Sequence, residues 1–383
     1  MSDPTSAADL RLLRASVHKA FAELSPISEV RRVMTTSRGW EEPLWARLAG
    51  ELGLPGVLLP AEHGGSGLGG TELALVMEEA GAALVPAPLL STAALAVPLL
   101  LACGDGATLA RYGHRISAGE LTATVALTED DGRWSTVAMR TTARRRSSGW
   151  ELDGTKNYVV DGATSGMVLV GAATDDGLGV FAVDADAPGL HRETLATLDL
   201  TRKQARLTFT RTPATAVGPA DATDAVERAS DFSRAMLAAE QVGGAQRCLD
   251  MTAEHARTRT QFGRPIGGFQ AVKQRLAEML IQVESARSAA AVAAASSHLP
   301  EPYGADGDPA DDLAIAARIA GITCTDAYTW VTAQAIQLHG GIGFTWEHDV
   351  HLYFKRAQAD KHLLGTPSEH VAVLAGHLDR APL

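Results

Sequence analysis

The spacing of apolar residues divides the chain into three zones. Residues 1–119 repeat apolar side chains at intervals of three and four, which is the period of an amphipathic helix. Residues 120–221 alternate apolar and polar positions in short runs separated by Gly, Asp and Ser clusters, a pattern typical of strands and turns. Residues 222–383 return to the helical period. The pattern predicts a helical domain, a small β barrel or sandwich, and a second helical domain.

Individual elements follow from the same spacing. In the first zone, Leu10, Val17 and Phe21 lie on one predicted apolar stripe, and a second helix is expected to end near Gly53. Strands are predicted at residues 122–127, 136–141, 150–152, 158–160, 167–172, 179–183 and 204–209. Long helices are predicted at residues 232–257, 269–297, 310–339 and 347–358.

Size and composition narrow the class of protein. A chain of 383 residues exceeds one ordinary core, so two or three domains are expected. Its net charge of −11 argues against a basic face, and therefore against nucleic acid as a partner. Its apolar runs are shorter than the roughly 18–20 residues of a membrane span. Cys103, Cys248 and Cys324 lie in apolar helical surroundings, which favours reduced core thiols in a cytoplasmic protein.

Two segments of the last zone carry candidate binding chemistry. One contains Arg259 and Phe262 in the sequence RTRTQFGRP, and the other contains Gln337, Gly340 and Gly341 in the sequence QLHGGIGF. A diphosphate is bound by planar cations and by backbone N–H groups, which Arg259 and the glycine pair supply. The glycines also let a backbone approach without a Cβ in the way. Gln337 offers a donor and an acceptor, and Phe262 offers an aromatic surface.

In this order and on helical flanks, the two segments resemble the flavin-holding signature of the acyl-CoA dehydrogenase family. The resemblance extends over nearly the whole chain. It implies an α+β fold that is mostly α, with an N-terminal helical domain (1–119), a central β-barrel domain (120–221) and a C-terminal four-helix bundle (222–383). It also implies FAD as the cofactor and an acyl-CoA thioester as the substrate, which loses its α and β hydrogens.

The resemblance further implies an assembly. Members of the family usually form tetramers in which each FAD lies at a dimer interface, and an electron-transfer flavoprotein or a similar acceptor is expected to take the electrons. The segments described above would reach across that interface to the diphosphate and adenosine end of the partner chain's FAD. The residues implied in this contact are Arg259, Phe262, Gln337, Gly340 and Gly341.

The end of the site that would hold the flavin ring departs from the family pattern. Thr128 matches a threonine that bonds the ring, but the turn after it is altered. Tyr158 takes the place of a tryptophan that packs on the flavin, and Val160 stands where a hydroxyl donor is common. Tyrosine still stacks, whereas valine donates no hydrogen bond. Thr366 completes the implied cofactor contacts, and this half of the site is expected to be weakened.

The positions where the family keeps its catalytic glutamate carry other residues. The reaction requires a carboxylate, raised in pKa by an apolar tunnel, to take the α proton. Leu364 stands at the usual position before a Gly-Thr pair, and Ser233 stands at the alternative position before an arginine. Glu240, two helical turns or roughly 10 Å beyond Ser233, is the tentative substitute base. A hydrogen-bonded structural role for Glu240 is the favoured interpretation.

This combination resembles the companion subunit of bacterial α2β2 acyl-CoA dehydrogenases that act on bulky substrates such as steroid side chains. There one subunit keeps the glutamate and the other mainly holds the far end of FAD. The sequence therefore predicts a subunit that depends on a glutamate-bearing, homologous partner. Three alternatives stay open: a self-sufficient dehydrogenase that uses Glu240, a non-catalytic flavin- or acyl-CoA-binding scaffold, and a flavin oxidase or monooxygenase of the same fold.

Overall fold

The computed structural model of the protein describes residues 5–147, 149–297 and 309–378. The chain is mostly helical, with a small β barrel between an N-terminal and a C-terminal helical domain, as the sequence predicts. The N-terminal helices are α1 (Ala7–Leu24), α2 (Ile27–Val33), α3 (Glu42–Leu52), α4 (Gly70–Ala83), α5 (Val97–Ala102) and α6 (Gly106–Ser117).

Seven strands form the central sheet. It is closed, because β4 pairs with β5 and β2, and the remaining pairings run from β2 through β3 and β7 back to β5. Closure leaves the alternate side chains of these strands to fill the interior. The strands are β1 (Ala123–Ala126), β2 (Thr142–Arg146), β3 (Gly149–Val160), β4 (Met167–Thr174), β5 (Gly177–Asp184), β6 (Leu190–Thr194) and β7 (Gln204–Val217).

The C-terminal domain is built on one helix of 36 residues, α7. It begins nine residues before the predicted start, because Ala225, Val226 and Ala229 continue its buried face. Two very short strands follow it and form a hairpin. The elements are α7 (Thr223–Thr258), β8 (Thr260–Gln261), β9 (Arg264–Pro265), α8 (Gln270–Ala295), α9 (Pro309–His339), α10 (Val350–Asp360) and α11 (Pro367–Leu378).

Three strand predictions need correction. The runs at 150–152 and 158–160 belong to one strand, β3, which a bulge interrupts between Leu152 and Gly154. The run at 136–141 is not a strand, because the N–H groups of Arg140 and Thr141 donate to the carboxylate of Glu129 instead of to a neighbouring strand. Strand β6 was not predicted.

Two close helix contacts position the interior. Helix α4 crosses α7 where Gly81 faces Glu240 and Gly243 faces Glu78, and a Cβ on either glycine would collide with the opposite carbonyl oxygen. A π-helical turn, Leu90–Ala96, leads into α5, and together they lie buried against α7.

The three cysteines are buried and free. Burial raises the pKa of the Cys103 thiol to about 12, so the thiol stays protonated at neutral pH. Across the three described segments of the chain, no helix is both long enough and apolar enough to cross a membrane.

Candidate functional site

Phe262 lies at the tip of the β8–β9 hairpin. Phe262 and Gly263 form its turn and both have positive φ, 53° and 76°, as the primed turns of tight hairpins require. The side chain of Phe262 is 91% exposed. Its edge contact with Phe269, at 6.1 Å between ring centroids, fixes the ring while leaving most of it uncovered. A large aromatic side chain in this position is available to another chain or to a ligand.

Stacked histidines bring the two candidate binding segments together. His255, in the last turn of α7, stacks on His339, the last residue of α9, at 4.5 Å between ring centroids. His348 also packs against His339, at 4.3 Å between ring centroids. Arg259 follows α7 and Gly340 follows α9 directly, so the stack sets the arginine and the glycine pair on one surface of the C-terminal domain.

The residues on this surface fit a diphosphate. The exposed guanidinium of Arg259 has no hydrogen-bond or ion-pair partner within the described residues. Gly340 has a φ of 64°, and a Cβ on Gly340 or Gly341 would meet nothing within 4 Å in the chain. Packing within the chain therefore does not require a glycine at position 341. A free planar cation beside open glycine backbone, with Gln337 exposed next to it, is the donor set that a diphosphate uses.

Exposed apolar side chains surround these binding groups. Phe344 is 78% exposed, and Trp346 and Ile342 are also exposed. Lys355 lies over the Trp346 ring, with its ammonium 4.1 Å from the ring centroid. Apolar side chains gathered in one place, with a charged neighbour, are typical of surfaces that another chain covers.

The histidine stack predicts a loss of stability in acid. Burial lowers the pKa of His339 to about 4 from an ordinary value of 6.5. Between these pH values the unfolded chain binds a proton that the folded chain does not, so the free energy of unfolding falls as the pH falls from 6.5 towards 4. We expect His339→Asn to flatten the fall of the melting temperature over this range, as measured by thermal denaturation. Equal slopes for the two proteins would contradict this assignment, and other titrating groups cancel in the comparison.

Two of the residues that the resemblance assigns to the flavin-ring end of the site, Thr128 and Thr366, are engaged within the chain. Thr128 is buried and its carbonyl oxygen accepts from the N–H of Asn157 at 2.8 Å. Tyr158 is 49% exposed and has a φ of 55°. Thr366 is already engaged within the chain. It lies directly before helix α11, and its hydroxyl donates to the carboxylate of Glu369 at 2.9 Å. Val160 lines a cavity but offers no donor.

The two usual positions of the base are buried and held by backbone contacts. Leu364 is 3% exposed, and its carbonyl oxygen accepts from Nε of Arg234 at 2.8 Å. The Ser233 hydroxyl lies 2.7 Å from the carbonyl oxygens of Ala94 and Ala229. Neither side chain is able to take a proton from carbon, because one is a hydrocarbon and the other is a neutral hydroxyl that donates to a backbone carbonyl.

Glu240 belongs to a buried ionic cluster between the barrel and the C-terminal helices. One of its carboxylate oxygens accepts from Arg202 and, at 2.6 Å, from Arg356. Arg202 also donates to Asp360 at 2.6 Å, and Arg356 donates to Asp199 at 2.5 Å. Burial raises the pKa of Asp360 to about 7. We call these five residues the ionic cluster; it borders a cavity of about 30 Å³.

The sequence patterns did not predict most of the contacts around Glu240. The partners of Glu240 lie 38 and 116 residues away, on the loop before β7 and on α10, and no local pattern links them. The sequence patterns also missed Trp134, whose indole N–H donates to the hydroxyl of Ser230 on α7 at 2.8 Å. The altered turn after Thr128 was the available signal for Trp134.

A small barrel set between two helical domains is the architecture of the acyl-CoA dehydrogenase class of fold. Sequence profiles of that family match the chain in three parts: the N-terminal domain over residues 7–120, the middle domain over 124–211 and the C-terminal domain over 223–378. The chain belongs to the acyl-CoA dehydrogenase family.

Several relatives are similar along nearly their whole length. The acyl-CoA dehydrogenase IpdE2 of Mycobacterium tuberculosis is 34% identical over 97% of this chain and 98% of its own. A variant of the Tcur3481-Tcur3483 steroid ACAD superposes with a TM-score of 0.85 at 34% identity, covering 98% of this chain and 99% of that one. The ChsE4-ChsE5 complex from Mycobacterium tuberculosis gives a TM-score of 0.86 at 29% identity, with both chains covered in full, 100% of each.

Proposed function

We propose that this chain is an FAD-dependent acyl-CoA dehydrogenase subunit that holds the diphosphate end of an FAD shared with a homologous partner, and that the partner supplies the base. The observation that carries the proposal is the contrast between two places in the chain. The guanidinium of Arg259 has no partner among the described residues, and Gly340 and Gly341 leave open space at their Cα atoms, whereas Leu364 and Ser233 offer no carboxylate.

The contributions of this chain to the reaction are binding and orientation. The guanidinium of Arg259 and the N–H groups beside Gly340 and Gly341 would neutralise the diphosphate. Phe262, at the tip of its hairpin, would pack against the cofactor or the partner chain. FAD, when bound, supplies the acceptor for the hydride that leaves the β carbon of the acyl group. The α proton would go to a glutamate of the partner.

Two-component relatives support a hetero-oligomer. The Tcur3481-Tcur3483 steroid ACAD and the ChsE4-ChsE5 complex are each named for two components. By this likeness we propose a heterotetramer, a bulky substrate of the steroid or lipid type, and an electron-transfer flavoprotein or a similar acceptor. The exposed apolar side chains around the diphosphate surface, Phe344 and Trp346 among them, are the part of the surface that we assign to the partner contact.

The geometry favours the partner's base over Glu240. One oxygen of Glu240 accepts from two guanidinium groups, those of Arg202 and Arg356, so the carboxylate is held in the ionic cluster and faces only the cavity beside it. Its cavity of about 30 Å³ has room for a few water molecules at most and not for an acyl chain.

Turnover of the isolated chain tests the proposal. We expect the chain purified alone to show no acyl-CoA turnover, and the chain co-purified with its glutamate-bearing partner to be active. Full activity of the chain as a homo-oligomer would refute the proposal. A pair that binds flavin or acyl-CoA but turns over no acyl-CoA would favour a scaffold, and rapid oxygen uptake by the reduced pair would favour an oxidase.

A further inference from the structure

The two positions where the family keeps its base, Ser233 and Leu364, indicate where an acyl group would have to lie in this chain. A base at Ser233 or at Leu364 must reach the α carbon of the substrate, so the substrate would lie next to both positions. Ser233 faces the groove between α7 and the helix formed by the π turn and α5. Leu364 belongs to the same apolar core as the residues of that helix.

This groove is nearly full. The cavity that remains in it is about 10 Å³, which is room for one water molecule at most. Its walls include Leu95 and Leu99 on one side and Ser230 and Ser233 on the other. The hydroxyl of Ser233 reaches the carbonyl oxygen of Ala94 at 2.7 Å, so the two helices are in direct hydrogen-bonding contact.

Trp134 closes the groove from the barrel side. Its half-buried indole packs against the apolar core, and its N–H donates to Ser230 at 2.8 Å. The Ser230 hydroxyl donates a hydrogen bond to the carbonyl oxygen of Val226 at 2.6 Å, so its oxygen is oriented to accept from the indole. An indole is the largest of the common side chains, and the single donor of the Trp134 indole is satisfied here.

The loop that carries Trp134 is fixed in place. The Glu129 carboxylate accepts from the N–H groups of Arg140 and Thr141 at 2.8 and 2.9 Å, which ties the start of the loop to its end. The same carboxylate pairs with the fully buried ammonium of Lys156 at 2.8 Å. Because the loop is closed by these contacts, the indole is held at the groove instead of swinging freely.

We infer that Trp134 is a plug that closes this chain's own acyl groove, so that the acyl group is bound only on the partner's side of the assembly. The inference rests on the proposed function. It adds a second reason why this chain's own site is inactive: besides lacking a base, the site has no room for the acyl group. Trp134 acts as a specificity-determining residue, and a glutamate introduced at Ser233, which lines the groove, would find no room for substrate there.

Binding measurements on the full chain test whether Trp134 is a plug. They require neither the partner chain nor turnover. Calorimetry would compare octanoyl-CoA with free CoA, so that the acyl contribution is isolated. For the unmodified chain we expect the two affinities to be equal. For Trp134→Gly we expect octanoyl-CoA to bind at least about tenfold more tightly than CoA, the effect of burying two methylene groups. Trp134→Leu, which keeps an apolar side chain of smaller volume, should show a smaller preference and covers the case in which the glycine variant does not fold.

The control is Trp150→Leu, because Trp150 packs on Phe181 inside the barrel at 5.1 Å between ring centroids and lies away from the groove. It should show no acyl preference. An unmodified chain that already prefers octanoyl-CoA by tenfold, or folded Trp134 variants that show no preference, would overturn the inference. Neither outcome would touch the proposed function, which is tested separately by turnover of the pair.

Discussion

Replacing Arg259 with alanine is expected to weaken FAD binding to the co-purified pair by about 10- to 150-fold. This range corresponds to the roughly 1.5–3 kcal/mol of hydrogen bonds to a charged group, which is the role assigned to the guanidinium at the diphosphate. Arg259→Lys should recover only part of the affinity, since an ammonium keeps the charge but not the planar fork. Flavin retained per mole of pair, and the dissociation constant from titration of the apoprotein, measure the effect.

Arg257 provides the matched control for that experiment. It lies two residues earlier in the last turn of α7, is exposed, and pairs with Glu254 at 3.2 Å on its own helix. Arg257→Ala removes the same charge and should leave flavin binding almost unchanged, apart from a small salt-dependent loss. Equal losses for the two variants would mean that Arg259 contributes only to the general charge of the surface.

Replacing Glu240 with alanine is expected to lower the free energy of unfolding by about 3–5 kcal/mol. The substitution leaves the guanidinium groups of Arg202 and Arg356 buried with one acceptor fewer each. Because the ionic cluster joins the barrel to α7 and α10, the barrel and the C-terminal domain should both lose stability. Chemical denaturation followed by tryptophan fluorescence measures the change.

A neighbouring glutamate separates this effect from loss of charge in general. Glu254 lies on the same helix but is exposed, and among the described residues its one ion pair is with Arg257, so Glu254→Ala should change stability by less than about 1 kcal/mol. If Glu240→Ala were no more destabilising than Glu254→Ala, the ionic cluster would not contribute to stability. Glu240→Gln adds a second readout: turnover of the pair per folded molecule should be unchanged, whereas a base would be lost.

Local sequence patterns predicted the helices well because long apolar stripes are repeated many times within each one. Helix α8 was predicted at 269–297 and lies at Gln270–Ala295. The strands were harder to predict. Gly154, with a φ of 144° at a bulge, follows Asp153 and resembles a turn in the sequence, although strand β3 passes through it. Strand β6 is short and mostly exposed at the edge of the sheet, so it lacks a clear apolar alternation.

The same distinction applies to the candidate site: residues in local motifs could be predicted from the sequence, and contacts between distant elements could not. The resemblance identified Arg259 and the glycine pair, and the structure places them on one surface. What sequence could not supply is contact between distant elements. The hold of Arg202 and Arg356 on Glu240, and the position of Trp134 in the groove, depend on side chains that meet only after the three domains pack together.

A structure of the co-purified pair with FAD would test the central claim most directly. The account predicts that the Arg259 guanidinium lies within about 3 Å of diphosphate oxygens, with the backbone at Gly340 and Gly341 beside them and the flavin ring in the partner chain. FAD bound at full occupancy in the pair, with Arg259 and the two glycines facing only solvent, would contradict it.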